Sequence, residues 1–322
     1  MTTRTDSVST TSPAGRGRRA SLVVASYLAV YLVWGSTYFF IKQAVETIPP
    51  FWVLGMRWTV GGLIVLGLSI ARGRLKSFPR PREILASLAL GTLLLLVGNG
   101  GITIAERKID SYIAALLASS TPITVALFDG LLLRKRVTLI RMLGVAGGFA
   151  GIAFLLYDGR SLATSLNPSV ALGLVGVLSW GFATSLGHRF PVHGDNAVNS
   201  GIQMLFVGLV CVGGSLLLDA PPSAVLSAIS PASLLAVAYL ALLGSIAFSA
   251  YTYLVSWEPA ERVVSYAFVN PLIALLIGIG IGGEAPTPFL PLGVALAIAG
   301  LGLTLYGERA ISLIKARKGP RG

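Results

Sequence analysis

The feature that most constrains this chain is a succession of apolar runs, each close to 20 residues long and nearly free of charge. They fall near residues 20–42, 51–72, 84–105, 111–133, 141–157, 169–188, 198–218, 233–257, 262–283 and 291–309. A helix needs about 20 mainly apolar residues to cross the hydrocarbon of a bilayer. Inside that layer each backbone N–H and C=O must be satisfied within the segment, which leaves helices and closed barrels as the only spanning structures. The runs therefore predict an all-α polytopic membrane protein with ten transmembrane helices. Charged residues make up 12% of the chain, whereas a soluble domain carries about a quarter. The connections are too short for a soluble domain, so the chemistry belongs inside the membrane.

The net charge of +12 does not point to nucleic acid, because the cations sit between the runs and at the chain ends. With the N-terminus inside, Lys and Arg on the inner side outnumber those on the outer side by about five to one, a strong positive-inside bias. Both termini are expected in the cytosol. Residues 1–19 read as a disordered cytosolic tail rather than a cleavable signal, since the run that follows is full length. Residues 311–322 read as a basic cytosolic tail. A single cysteine, Cys211, excludes an internal disulfide and a multi-cysteine metal site. No cofactor or metal is expected.

Two halves of the chain match when one is slid along the other. Trp34-Gly35 meets Trp180-Gly181 and Gly62 meets Gly208, each 146 residues on. Pro122 meets Pro271, Gly144 meets Gly293, Gly151 meets Gly300 and Tyr157 meets Tyr306, each 149 residues on. The expected units are residues 20–160 and 161–310, five spans apiece. An odd number of spans inverts the second unit, and inverted repeats are a recurring plan of secondary transporters that bind solute near the midplane.

Polar side chains inside a bilayer are costly, so each is a candidate for function. Val263–Glu284 carries Tyr266, Asn270-Pro271 and then Gly278, Gly280 and Gly282, the composition of a kinked helix lining a cavity. Asn99 lies between two glycines of the third run, Thr103 adds a hydroxyl one turn on, and Asn270 reads as the second-half counterpart of Asn99. Trp34 and Trp180 lie too deep for an interfacial belt, and with Tyr38, Tyr251 and Tyr266 they are expected to wall a solute site. Trp52 and Trp58 fit the outer belt. Arg57 enters the second span by about 9 Å, and an ion pair with Glu106, beyond the third run, is expected to gate or line the outer vestibule. Pro122 and Pro271 mark expected kinks, with Ser119, Ser120 and Thr121 re-satisfying the backbone. Asp129 is expected to meet Arg134 or Arg136. Gly144/Gly148, Gly147/Gly151 and Gly278/Gly282 have the spacing of close helix contacts, within the bundle or between protomers.

The ordered pieces Trp34-Gly35-Ser36-Thr37-Tyr38, Pro49-Pro50-Phe51 with Arg57, Gly98-Asn99-Gly100 with Ala105-Glu106, Thr121-Pro122, Asn270-Pro271 and Gly283-Glu284 resemble the EamA-type branch of the drug/metabolite transporter superfamily across nearly the whole chain. The resemblance implies a bacterial inner-membrane carrier, commonly an exporter of amino acids or other small metabolites. One departure stands out. The family usually closes the fourth span with Gly-Glu, and this chain has Arg134-Lys135 there.

The sequence thus predicts an alternating-access secondary transporter of a small organic solute. A multidrug exporter of lipophilic cations is the alternative in the same class, disfavoured by the lack of a midplane carboxylate. A solute channel is the alternative from another class. An intramembrane enzyme is disfavoured because HExxH, GxSxG and Cys/His/Asp constellations are absent. Protons as coupling ion, uniport or exchange, and a monomer or homodimer all stay open at this level.

Overall fold

The structure, a computed structural model, describes residues 13–132, 138–156, 168–219, 221–258, 263 and 265–317. Among these residues the chain is helical, without strands. Helix α1 runs through three consecutive segments, Pro13–Leu28, Ala29–Trp34 and Gly35–Val45. There follow α2 (Pro50–Ala71), α3 (Pro81–Ala105), α4 (Ser111–Leu132), α5 (Leu139–Leu156), α6 (Pro168–Leu186), α7 (Asn196–Leu218), α8 (Pro231–Trp257), α9 (Tyr266–Gly280) and α10 (Leu290–Arg317). Seven of the helices are long and apolar enough to cross a membrane: α1 over Ala20–Val45, α2, α3, α4, α6, α7 and α8. Val269–Gly280 and Leu290–Thr304 are shorter apolar helices.

Two expectations about the ends change. Residues 13–19, read as part of a disordered tail, form the first turns of α1. Proline is favoured at a helix start, and Arg16, Arg18 and Arg19 are good helix formers, so the span propagates backwards. At the other end α10 continues to Arg317, past the expected boundary of the basic tail.

Without a hydrophobic force between helices in lipid, close packing holds such a bundle together, and small residues permit it. The glycines perform this in a reciprocal way. A Cβ on Gly62 of α2 would strike the backbone of Leu205 on α7, and one on Gly208 would strike the backbone of Thr59. Leu205 is Thr59 plus 146, as Gly208 is Gly62 plus 146. Gly55 meets Val212 while Gly201 meets Leu66, again the same pair with the roles exchanged. Gly35 lies against Ile273 as Gly181 lies against Thr124. Gly144 of α5 faces Gly300 of α10 and Gly151 faces Gly293. The element contacts exchange likewise: α1 packs on α8 and α9, α6 packs on α3 and α4, and α2–α7, α4–α9 and α5–α10 pair directly.

The helix over residues 111–132 breaks at Ser120, just before Pro122. Ser119 donates to Leu116 O (2.7 Å), Ser120 to Leu117 O (2.6 Å) and Thr121 to Ala118 O (2.7 Å), so the hydroxyls supply the backbone that the proline disturbs. Pro271 lies inside α9 without ending it. Ser185 donates to Asp129 (2.6 Å), and Arg134 and Arg136 fall outside the described residues.

Candidate functional site

Among the described residues three helices contain a turn of π-helix, which has about one residue more than an α-turn. These are Ala29–Trp34 in α1, Thr92–Asn99 in α3 and Leu240–Gly244 in α8. Such bulges occur frequently at functional sites. An extra residue turns everything beyond it by about 100° at 3.6 residues per turn. The first bulge ends at Trp34 and the second at Asn99. The third ends next to Ser245, which stands 146 residues after Asn99. Asn270 is therefore not the counterpart of Asn99, as the sequence had implied. It sits on α9 rather than α8, and the register carried by the glycine contacts assigns that place to Ser245.

The first two bulges border a partly open cavity with about 70 Å³ open to the centres of water molecules. At roughly 10–15 Å³ of such space per water, it holds about five to seven waters as it stands. Trp34, Tyr38, Arg57, Asn99, Trp180 and Tyr266 line it, all of them expected from sequence. Trp34 and Trp180, the repeat-matched pair, meet edge to face with ring centroids 5.7 Å apart. Tyr266 stands edge-on to Trp34 at 5.4 Å. Tyr251 packs behind them, 4.9 Å from Trp34 and 5.8 Å from Trp180, with its hydroxyl 3.2 Å from that of Thr184. It supports the wall without lining the cavity. Thr103 spends its hydroxyl on Asn99 O (2.9 Å) inside α3. Asn270 is buried, and neither atom of its amide has a hydrogen-bond partner.

Trp58 and Phe248 line the cavity and were missed. Trp58, expected in the outer belt, is 2% exposed and packs edge to face on Phe248 at 5.8 Å. Its depth was available, since it follows Arg57. Its direction was not, because that depends on which side of α2 faces α7. Phe248 had no polar signal to mark it.

Arg57 is 2% exposed. Its guanidinium lies 4.2 Å from the centre of the Trp58 ring, donates from one terminal nitrogen to Asn99 Oδ1 at 3.3 Å, and keeps Nε without a partner. The expected ion pair with Glu106 is not made. Glu106 is fully buried and neither carboxylate oxygen has a hydrogen-bond partner. Burial raises its affinity for a proton well above the usual carboxylate range. Lys42 opposes that rise, Glu284 adds to it and Arg57 opposes it. Lys42 gives its ammonium protons to two carbonyls, Glu106 O (3.0 Å) and Ile109 O (2.9 Å), closing the end of α3.

Glu284 acts at the start of the next helix. Gly283 takes φ +67°, which a side chain would disfavour, and the chain turns so that Glu284 reaches α4. Its two oxygens accept from Ser111 N at 2.9 Å and Tyr112 N at 3.4 Å, capping a helix of the other half. The loop between α3 and α4 is thus held by Lys42 on one side and Glu284 on the other. Within that loop burial also raises the pKa of Asp110, with Glu284 adding and Lys42 opposing.

A family model described as the EamA-like transporter family matches residues 21–157 and again residues 167–306. The chain belongs to the EamA-like transporter family. It is thus a membrane transporter, and the resemblance read from its motifs holds. The uncharacterized inner membrane transporter YedA of Escherichia coli (strain K12) is 36% identical over 309 residues, spanning 92% of this chain and 96% of that one. The uncharacterized transporter YoaV of Bacillus subtilis (strain 168) is 26% identical over 63% of this chain and 69% of its own length. The chloroplastic WAT1-related protein At3g02690 of Arabidopsis thaliana is 21% identical over 87% of this chain and 69% of its own. A crystal structure 20% identical in sequence covers 91% of this chain and 99% of its own at a TM-score of 0.63, so this EamA-family chain shares its fold.

Proposed function

We propose that the protein is an alternating-access carrier of ten spans, built from two inverted five-helix halves over residues 20–160 and 161–310. It resides in the inner membrane with both termini in the cytosol, and exports an amino acid or a similar small organic metabolite. The observation that carries this reading is the meeting of Trp34 with Trp180 at the cavity, together with the reciprocal glycine contacts between the two halves of the sequence. Two halves related in this way exchange conformations, so one fold supplies an inward-open and an outward-open state around a fixed site. The family matching twice in succession supports the duplication.

A second observation supports a second state. Both oxygens of Glu106, both amide atoms of Asn270 and the hydroxyl of Ser245 are buried without partners. Each such group costs about 1–3 kcal/mol. A state with these costs is a natural partner to one that relieves them. Lipophilic cations fit poorly, because the charged side chain lining the cavity is itself a cation.

Vesicles preloaded with unlabelled solute test the reading. Saturable uptake of labelled solute, accelerated by the internal load, is the expected result. Flux that rises linearly with concentration and ignores the load would make the protein a channel.

A further inference from the structure

The cavity divides by chemistry in a way that bears on its solute, given that it is the transport site. At one part of the wall stand Arg57 and Asn99, joined by a hydrogen bond. Around them stand the rings of Trp34, Trp58, Trp180, Phe248 and Tyr266. Arg57 is the one charged residue among those that line it. A guanidinium offers five N–H donors in a planar fork, and here one of them is used at 3.3 Å while Nε has no partner. A buried, permanently charged fork with unspent donors is matched by a planar anion that accepts two bonds at once. Among the described residues no carboxylate lines the cavity to pair with an ammonium. The nearest carboxylate chemistry, Glu106, lies outside the lining residues, and Arg57 itself repels a positive group.

We propose that the solute is a net anion, a carboxylate on a flat apolar body, held by the Arg57 fork and Asn99 at its head and by the aromatic rings along its length. A zwitterionic amino acid brings an ammonium that this wall does not receive, and a lipophilic amine brings only that group. The chemistry is thus a subset of the small organic metabolites named above.

Three molecules with the same ring separate the classes: 3-phenylpropionate carries the carboxylate alone, phenylalanine carries both groups, and phenethylamine carries the ammonium alone. Binding to the purified full chain is read by quenching of its tryptophan fluorescence, since Trp34, Trp58 and Trp180 all line the cavity. Transport is read by counterflow in vesicles. The expected order is 3-phenylpropionate at least about tenfold tighter than either of the others. Arg57→Gln should abolish that preference, and Arg57→Lys, which keeps the charge but loses the fork, should restore part of it. Equal or tighter binding of phenylalanine or phenethylamine overturns the proposal, as does silence from all three, and the wild-type series decides even if a variant fails to fold. Saturable counterflow of an amino acid or amine without the acid leaves the carrier standing and removes the carboxylate. Binding of the acid without any flux keeps the site and removes the carrier.

Discussion

Arg57 on α2 and Gln203 on α7 stand 146 residues apart, on helices that pack together through exchanged glycine contacts. Both are buried, at 2% and 1% exposure. Arg57 points its charge at the cavity and meets Asn99, whereas Gln203 joins a neutral layer. There its amide nitrogen donates to Asn199 Oδ1 at 3.1 Å, which also accepts from Ser87 at 2.7 Å. The neighbouring positions diverge the same way. Asn99 matches Ser245, Trp58 matches Met204, and Ile102 matches Phe248. In the fourth and ninth helices Leu117 matches Tyr266, 149 residues on. The backbone scaffold keeps its correspondence because glycine contacts tolerate no added atom. The side chains facing the cavity are under no such mutual constraint, so the first half supplies most of the polar head and the second half much of the aromatic wall.

The comparison breaks most visibly at the glycines. Gly62→Val and Gly208→Val each force a side chain against the facing backbone, and overpacking costs about 1–3 kcal/mol, more where backbone must move. Both should lower the thermal unfolding midpoint in detergent, and by similar amounts. A large loss in one and none in the other would end the reciprocal description of α2 and α7.

Next in size is the contrast between Arg57 and Gln203. Hydrogen bonds to charged groups are worth about 1.5–3 kcal/mol, so Arg57→Gln should weaken solute binding by tenfold or more. Gln203→Leu should leave it within about twofold, because Gln203 bonds Asn199 one turn away on its own helix and does not line the cavity. Titration of tryptophan fluorescence with 3-phenylpropionate measures both. Equal losses would mean that the two positions share one role.

A smaller effect attaches to the two ends of the bundle. Glu284 caps α4, and the position 149 residues earlier is Lys135, outside the described residues. Glu284→Gln should cost about 1 kcal/mol of stability, as the loss of a helix cap does. A variant as stable as the parent would remove the cap from the account.

The smallest expected change is a pH dependence of binding. Tyr38 and Lys42 from α1, Arg57 from α2 and Glu284 beyond α9 face Glu106 electrostatically. A solute carboxylate on Arg57 offsets one of the cations that oppose the raised proton affinity of Glu106, so binding raises that affinity further. By linkage, affinity then rises as pH falls, and Glu106→Gln should flatten the profile. A flat profile in the parent protein would uncouple Glu106 from the site.

Apolar length and the periodic absence of charge are local properties, and the sequence by itself determined from them an all-helical membrane protein. Its family was legible as well, because short motifs such as Trp34-Gly35 and Gly283-Glu284 keep their order along the chain. So was much of the cavity: a Trp or Arg deep in a span is conspicuous whatever packs around it. Only the tertiary structure decided the rest. It turned Trp58 inward from the belt, gave Arg57 to Asn99 instead of Glu106, and left Thr103, Tyr251 and Asn270 off the cavity wall. For Arg57, Trp58 and Asn270 the physical reason is which face of α2 and α9 packs on the neighbouring helices; for Thr103 and Tyr251 it is the π-turn before them. One extra residue in α1, α3 or α8 rotates all that follows by about 100°, and no local preference in those apolar stretches announces where it falls.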